Sequence, residues 1–288
     1  MYKAEIIADS LSPLGVRLTT FICTYPRFIH PEILTHRMLS RNSGSSRAIP
    51  VRKSIENIKL DPFIPEEFGL NKPGMSWSEP SINHDKALLY WHLAKEATIL
   101  NAEKLADLEI HKSLVNRILE PFSWITTIIT ATDWSNFFAL RTDENAQPEF
   151  RKIALMMQDL YKENEPARLE IGEWHLPFLG DEERRELEFS KKNKFETDVY
   201  RGYDYWTKIC SARAARISYL SHDGTRDYKK DLDLYQRLVD NGHLSPLEHI
   251  ATPMKNYNYY GNFKGWQQLR KRIPNEYDFS RRNSTQSS

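Results

Sequence analysis

The stretch His36-Arg37-Met38-Leu39-Ser40-Arg41-Asn42-Ser43-Gly44-Ser45-Ser46-Arg47 gathers residue types that hold an anion. It reads as a helix end running into a Gly/Ser loop, with arginines at 37, 41 and 47. Such a loop offers free backbone N–H groups and hydroxyl donors, and guanidinium forks grip phosphate oxygens in pairs. A solvated polar loop has the same composition, because serine and glycine favour turns wherever they occur. A second stretch runs Asn116-Arg117-Ile118-Leu119-Glu120-Pro121 and, further on, Trp134-Ser135-Asn136-Phe137-Phe138-Ala139-Leu140-Arg141. Asn136 and Arg141 stand among large apolar residues, where a buried charge needs a partner. That partner is either a ligand or a neighbouring acid such as Asp143 or Glu144. A third stretch joins Ala212-Arg213-Ala214-Ala215-Arg216-Ile217-Ser218-Tyr219 to Gly242-His243-Leu244-Ser245-Pro246-Leu247-Glu248-His249. A lone histidine there is more often a satisfied core residue than a ligand.

Other chemistries leave no mark on the sequence. It contains no G-x-x-x-x-G-K-[ST], no G-x-G-x-x-G, no H-E-x-x-H and no G-x-S-x-G. Two cysteines, Cys23 and Cys210, without a C-x-x-C, exclude a disulfide framework and a cysteine zinc site, and no metal is expected. The net charge of +1 argues against a protein held on nucleic acid by phosphate contacts. Lys264, Arg270, Lys271 and Arg272, with Trp266 among them, read as a solvated helix face. The first residues carry Glu5 and no long apolar run, so neither a signal peptide nor a membrane span is expected, and a cytoplasmic location follows.

These residues need elements to position them. Alternating and β-branched residues predict strands over 3–8 and 15–24. Pro31 and Glu32 open a helix expected to run to about Leu39, followed by a non-helical stretch over 40–50. Residues 61–85, with Pro62, Pro65, Pro73, Gly74 and Pro80, read as a long irregular loop. Leu88, Leu89, Trp91, Leu93, Ile99, Leu100 and Leu105 recur at helical spacing and predict a helix over about 85–109. A second helical region is expected over 112–162, broken near Pro121 and Pro148. Residues 163–200 read as a charged surface excursion with a short helix at 181–192, followed by helices at 203–216 and 227–241 and a frayed polar tail, RRNSTQSS. The fold class is α+β, a small mostly antiparallel sheet packed with several helices, including a helical subdomain over about 86–162.

Taken together, the three stretches resemble the flavin-dependent thymidylate synthases, the thymidylate synthase complementing proteins. The hallmark of that family is R-H-R, seven residues, then S; here Thr35-His36-Arg37 is followed by seven residues and then Ser45, with Asn42 and Arg47 also in place. The second stretch resembles R-I-x-L-P and N-F-L-x-L-R, continued by A-Q-x-E at Ala146-Gln147-Pro148-Glu149. The third resembles A-R-V-S-Y and G-H-x-[ST]-P-[FL]-E-H. In the family that third pair usually precedes the hallmark, whereas here it follows, so the order reads as a circular permutation. Thr35, Ser43 and Ala48 replace the family's Arg, Glu and Tyr.

The resemblance implies FAD as cofactor, NADPH and methylenetetrahydrofolate as co-substrates, and dUMP as the nucleotide methylated at carbon 5. It implies a homotetramer with sites between subunits. Carried over by position, Ser45, Arg47, Arg117, Arg141 and Glu32 bind the nucleotide, and His36, Arg37, Asn42, Asn136, Ser218 and His249 lie along the flavin. Arg141 is expected to stabilise charge on the uracil ring, and Ser45 to hydrogen-bond rather than attack. Residues 1–162 and 204–272 then form one nucleotide- and flavin-binding core, 163–203 a connecting or inserted surface segment, and 273–288 a polar tail. The replaced hallmark residues leave open a related pyrimidine nucleotide or a hydroxymethyl product, and a homologue that binds without catalysis.

Overall fold

The run Trp-Ile-Thr-Thr-Ile-Ile-Thr-Ala at 124–131 is dense in β-branched residues, which pack well on a pleated surface and lose χ1 freedom in a helix. In the computed structural model, which describes residues 1–74, 76–77, 79–192, 198–219, 227–274 and 276–278, this run is a strand inside the central sheet. The helical region expected over 112–162 is therefore interrupted, and the helical subdomain expected over 86–162 is not continuous. Of the expected polar tail, 273–288, residues 275 and 279–288 lie outside the described residues, while Ile273 packs against the core and Glu276 pairs with Arg270.

In chain order the elements are β1 (Lys3–Leu11), β2 (Arg17–Pro26), α1 (His30–Leu34), β3 (Ser40–Ser43), α2 (Val51–Leu60), α3 (His84–Asp107), α4 (Lys112–Leu119), β4 (Trp124–Ala131), α5 (Ser135–Arg141) and α6 (Pro148–Glu163). There follow β5 (Ala167–Arg168), α7 (Asp181–Lys192), α8 (Asp198–Tyr219), α9 (Tyr228–Asp240), β6 (Ala251–Pro253), β7 (Tyr259–Tyr260), β8 (Phe263–Lys264) and β9 (Trp266–Gln268). The central sheet has the order β3-β4-β2-β1-β5, antiparallel except for the β1–β5 pair, and a smaller sheet has the order β6-β9-β7-β8. The α+β expectation holds.

Both faces of the central sheet are covered. Phe21, Cys23 and Tyr25 of β2 and Ile125 and Ile129 of β4 pack with Ile33 of α1, Phe137 and Phe138 of α5, and Phe150, Ile153 and Met157 of α6. The alternate residues face the other way: Ile22 and Ile128 meet Ala214 and Ile217 of α8, and Leu18 meets Ala251, Phe263 and Trp266. A strand buried on both faces shows no clean alternation of polar and apolar residues. Helices α2, α3 and α4 form a separate apolar cluster around Ile58, Ile99, Val115 and Leu119.

Three local expectations change. Helix α1 stops at Leu34, not Leu39. The Thr35 hydroxyl donates to Glu32 O at 2.6 Å, and Arg41 Nη1 donates to the carbonyls of Ile33 and His36 at 2.9 Å each, so side chains take over the free carbonyls of the helix end. Part of the stretch 40–50 is strand β3, paired with β4 from Ser40↔Thr130 to Ser43↔Thr127. The basic stretch 264–272 is only in part a solvated helix face: Lys271 and Arg272 are exposed on a 3-10 turn, Leu269–Arg272, but Trp266 is fully buried on β9, and Arg270 pairs with Glu248 at 2.7 Å and Glu276 at 2.6 Å.

The expected surface segment 163–203 is built partly into the core, with His175, Leu176, Leu179, Glu183 and Leu187 all buried. An ion network anchors it. The guanidinium of Arg213 on α8, 7% exposed, donates to Glu183 of α7 at 2.6 and 2.8 Å and lies 3.4 Å from Asp231 of α9, which also holds Arg216 at 2.7 Å. Removing one partner of a buried pair leaves an uncompensated charge. Arg213→Ala is expected to lose about 3–5 kcal/mol of unfolding free energy. Urea titration checks this, and a loss below about 1 kcal/mol, the worth of an exposed pair, would show that the network does not anchor α7.

Candidate functional site

Strand β3 delivers the anion-binding stretch to the edge of the central sheet. Gly44 N donates to Thr126 O at 2.9 Å, Ser45 is extended (φ −85°, ψ 125°), and a 3-10 turn spans Ser46–Ala48. The loop is pinned from behind. Arg27 Nη2 donates to Gly44 O at 3.0 Å, and Asn116 Nδ2 donates to Ser46 O at 2.7 Å and Ile49 O at 2.9 Å. Successive residues then face opposite ways. Ser46 lines a cavity of about 300 Å³ with Arg27 and Asn116, while Ser45 and Arg47 line a cleft of about 570 Å³ with Asn42 and Ser43.

The opposite wall of that cleft comes from Ala215 of α8, Leu238 of α9, His243, Ser245 and Pro246, with His111 from the start of α4. Among the described residues no carboxylate lines it. Arg47 is exposed and makes no ion pair among the described residues. A cleft with hydroxyls, imidazoles and an unpaired guanidinium favours an anionic ligand. Arg41, one of the three arginines of the stretch, is occupied in capping α1 and does not line the cleft.

His249 stands behind the cleft. It is fully buried; Nδ1 lies 2.8 Å from Thr130 Oγ1 and Nε2 lies 3.0 Å from the amide of Asn42. Both ring nitrogens are engaged, so His249 itself does not line the cleft and reaches it only through Asn42.

A second group lies apart from the cleft. Arg141 Nε donates to His36 Nε2 at 2.9 Å, and its guanidinium sits 4.5 Å from the centre of the Phe150 ring. Accepting at Nε2 leaves the His36 proton on Nδ1. Burial, then the charges of Arg141 and Arg41, push His36 down to about 4, so it is neutral at pH 7. Burial also lowers Arg141, and Glu32 works against that shift. Glu32 Oε2 is buried without a hydrogen-bond partner among the described residues.

One chain thus assembles Asn42, Ser45 and Arg47, backed by His249, and separately Glu32, His36 and Arg141. Arg37 and Asn136 are exposed, and Arg117 is exposed and donates to Glu120 at 2.9 Å; none of the three lines the cleft. Ser218 falls near the end of α8, and its side chain lies outside the described residues. Sequence reasoning missed His111, His243 and Ser245 as walls of the cleft. His243 and Ser245 stood inside a quoted motif without a role, and His111 carried no signal.

A family model described as thymidylate synthase complementing protein matches residues 6–167. That span contains the first two stretches and stops short of 212–219 and 242–249. Among solved structures, the chain is similar to a UMP/dUMP methylase, PolB, from Streptomyces cacaoi. For the form bound with 5-Br UMP the identity is 18%, covering 56% of this chain and 88% of that one, at a TM-score of 0.47. For the form with 5-Br dUMP the values are 16%, 56%, 90% and 0.46. No curated protein matches.

Burial lowers four histidines: His30 and His36 to about 4, His175 and His249 to about 3. An unfolded chain protonates its histidines near pH 6.5. As pH falls below that value the unfolded state takes up protons that the native state refuses, so stability is whole above about pH 6.5 and declines toward pH 4. The melting temperature is expected to fall between pH 7 and pH 5, before carboxylates titrate, and His249→Asn is expected to flatten that fall. A melting temperature constant over this window would contradict the buried neutral histidines.

Proposed function

The chain belongs to the thymidylate synthase complementing protein family; from that premise we propose that it is a flavin-dependent enzyme that methylates dUMP at ring carbon 5 to give dTMP. The observation that carries this reading is the pinned loop that turns Ser45 and Arg47 into a cleft lined, among the described residues, by no carboxylate. Such a loop holds the phosphate of a nucleotide without reorganising, and a preorganised grip loses little entropy on binding.

The second group suits the base. Uracil presents a ring N–H between two carbonyl oxygens. Glu32 Oε2, buried and without a donor, matches the N–H, and the Arg141 guanidinium matches a carbonyl. Carbon 5 reacts only as negative charge builds on the ring, and a fixed cation at the carbonyl oxygen stabilises that charge. His36 and the Phe150 ring hold Arg141 in place. FAD, when bound, supplies the hydride and one-carbon chemistry, with NADPH as reductant and methylenetetrahydrofolate as carbon donor. Asn42 is the residue of the cleft that we place against the flavin. Ser45 has no histidine or acid partner among the described residues, so it serves as a hydrogen-bond donor rather than a nucleophile.

Glu32, His36 and Arg141 do not line the cleft of their own chain, which supports sites completed between subunits of a homotetramer. A surface for self-association is present: Leu89, Tyr90, Leu93 and Leu100 on α3 and Leu114 on α4 are all more than half exposed, an apolar face that a monomer would leave in water.

A second reading keeps the site and changes the product. The Thr35 hydroxyl is committed to Glu32 O, and Ser43, which accepts from Thr127 and lines the cleft, brings a neutral hydroxyl where the hallmark has a Glu, so neither supplies the charge of the residue it replaces. That favours a related pyrimidine nucleotide or a hydroxymethyl product as the alternative.

Purified protein is expected to take up FAD with a flavin absorbance spectrum. With dUMP, methylenetetrahydrofolate and NADPH it is expected to release a product one methyl group heavier. Flavin without that product moves the substrate to dCMP or UMP, and a colourless protein that refuses FAD overturns the reading. Arg141→Ala is expected to lower kcat by about 10²–10³-fold with flavin still bound. Arg47→Ala, losing a charge-assisted phosphate contact, is expected to raise KM for dUMP by roughly tenfold or more; an unchanged KM would remove Arg47 from the site.

A further inference from the structure

Five side chains form an unbroken polar chain through the middle of the molecule and end on a sixth in the cleft. Ser10 Oγ lies 2.8 Å from His175 Nδ1, and His175 Nε2 lies 2.7 Å from Thr20 Oγ1. Thr20 and Thr130, directly paired across β2 and β4, have their hydroxyls 2.8 Å apart. Thr130 Oγ1 lies 2.8 Å from His249 Nδ1, and His249 Nε2 lies 3.0 Å from the amide of Asn42. The first five residues are 5% exposed or less, and Asn42 lines the cleft. Strands β1, β2, β4 and β3 each supply one member, and the two imidazoles bridge between them. The imidazoles come from one corner of the fold, since His175 N donates to Ala251 O at 2.8 Å, two residues beyond His249.

Every internal member is a neutral hydroxyl or a neutral imidazole, and each donates once and accepts once along the chain. Such a chain has only two coherent polarities. In one, His249 Nε2–H donates to Asn42 Oδ1, and Asn42 Nδ2 donates to Ser245 Oγ at 3.1 Å. In the other, Asn42 Nδ2 donates one hydrogen to His249 Nε2 and shares the second between the carbonyls of Ser245 and Arg41, and Oδ1 accepts from Ser245 Oγ at 3.1 Å. The second satisfies more groups. Its protons run from Asn42 through His249, Thr130, Thr20 and His175 to Ser10.

We propose that Thr20, Thr130 and His175 are positioning residues: acting through His249, they lock the Asn42 amide with its carbonyl oxygen toward the cleft, where it accepts a hydrogen bond from a ligand N–H or O–H. The ligand side rests on the nucleotide and flavin reading above, whereas the amide orientation does not. His175 lies beyond the span 6–167 that the family model matches. The chain explains why a connecting segment carries a fully buried histidine and why β2 and β4 carry hydroxyls at the centre of an apolar sheet.

Thr130→Val keeps the shape and removes the hydroxyl; Thr130→Ser keeps the hydroxyl. In ligand-free, histidine-labelled protein, ¹H–¹⁵N NMR is expected to show His249 as the Nδ1–H form, displaced toward Nε2–H by Thr130→Val and restored in Thr130→Ser. An unchanged His249 form in folded Thr130→Val overturns the relay, whatever the enzyme proves to do. Titration with FAD and, separately, with dUMP then reads the consequence. Thr130→Val is expected to weaken one of the two by about tenfold, and by less than about twofold when Asn42 is already alanine. An equal loss in both backgrounds would mean a structural effect that does not pass through Asn42, and would overturn the positioning role. If wild-type protein binds neither probe, the nucleotide and flavin reading fails, while the NMR result still decides the amide orientation.

Discussion

A sheet covered on both faces leaves its strand side chains no water. That constraint governs this molecule. Phe21, Ile125 and Ile129 satisfy it on one face by packing on α5 and α6, and Ile22 and Ile128 on the other by meeting α8. Thr20 and Thr130 cannot satisfy it by packing alone. A buried hydroxyl without a partner costs about 1–3 kcal/mol, and several would consume a domain's whole margin of about 5–15 kcal/mol. The two hydroxyls therefore need each other and the two imidazoles, and the imidazoles need Ser10 and Asn42. The polar chain is the consequence of placing hydrophilic residues inside a closed layer. Its open end, Asn42, passes the requirement to the cleft.

The same logic divides labour within the loop after β3. Arg27, Asn116 and Arg41 direct their donors at backbone carbonyls around it: Gly44, Ser46, Ile49, Ile33 and His36. They fix the path of the chain and leave Ser45 and Arg47 free. Of the arginines that composition marks as phosphate ligands, one is thus structural. Residue type places it near the site, but only the hydrogen-bond partners of the neighbouring backbone decide its role.

Much of this was legible before any coordinates. The long periodic helix α3 and the α7–α9 helices follow from spacing and length, and strands β1 and β2 from their apolar and β-branched residues between turn signals. The hallmark residues Asn42, Ser45 and Arg47 do share one cleft. Strand β4 was misread because burial on both faces erases the alternation that marks a strand, and Pro121 and Pro148 looked like breaks in one helical region. The β-branched density of 124–131 was the signal to weigh instead. His175 was illegible for a different reason. A lone histidine in a charged stretch has no periodicity, and its partners Ser10 and Thr20 lie more than 150 positions away in sequence. Arg117 shows the converse: its neighbour Glu120, three residues on, takes its guanidinium at 2.9 Å.

The group around Arg141 is electrostatically incomplete by itself. Its guanidinium is partly desolvated, bonds to a neutral imidazole and faces an aromatic ring. Nearby, Glu32 buries a carboxylate oxygen that lacks a donor. Two neighbouring groups of opposite charge, each short of a partner, form a vacant pair of one acceptor and one donor. Ordinary folding removes such deficits by closing the pair into a direct ion bridge, and among the described residues Arg141 and Glu32 form none. A ligand edge with a donor beside an acceptor relieves both deficits at once, and a ligand with only one of them does not. Selectivity of that kind arises from the penalty of leaving the second group unpaired, which discriminates more steeply than added apolar contact. If this group reads a base edge while Ser45 and Arg47 hold a phosphate, recognition is split between two halves that a single chain keeps apart. Binding then depends on how copies of the chain meet as much as on the fold of each.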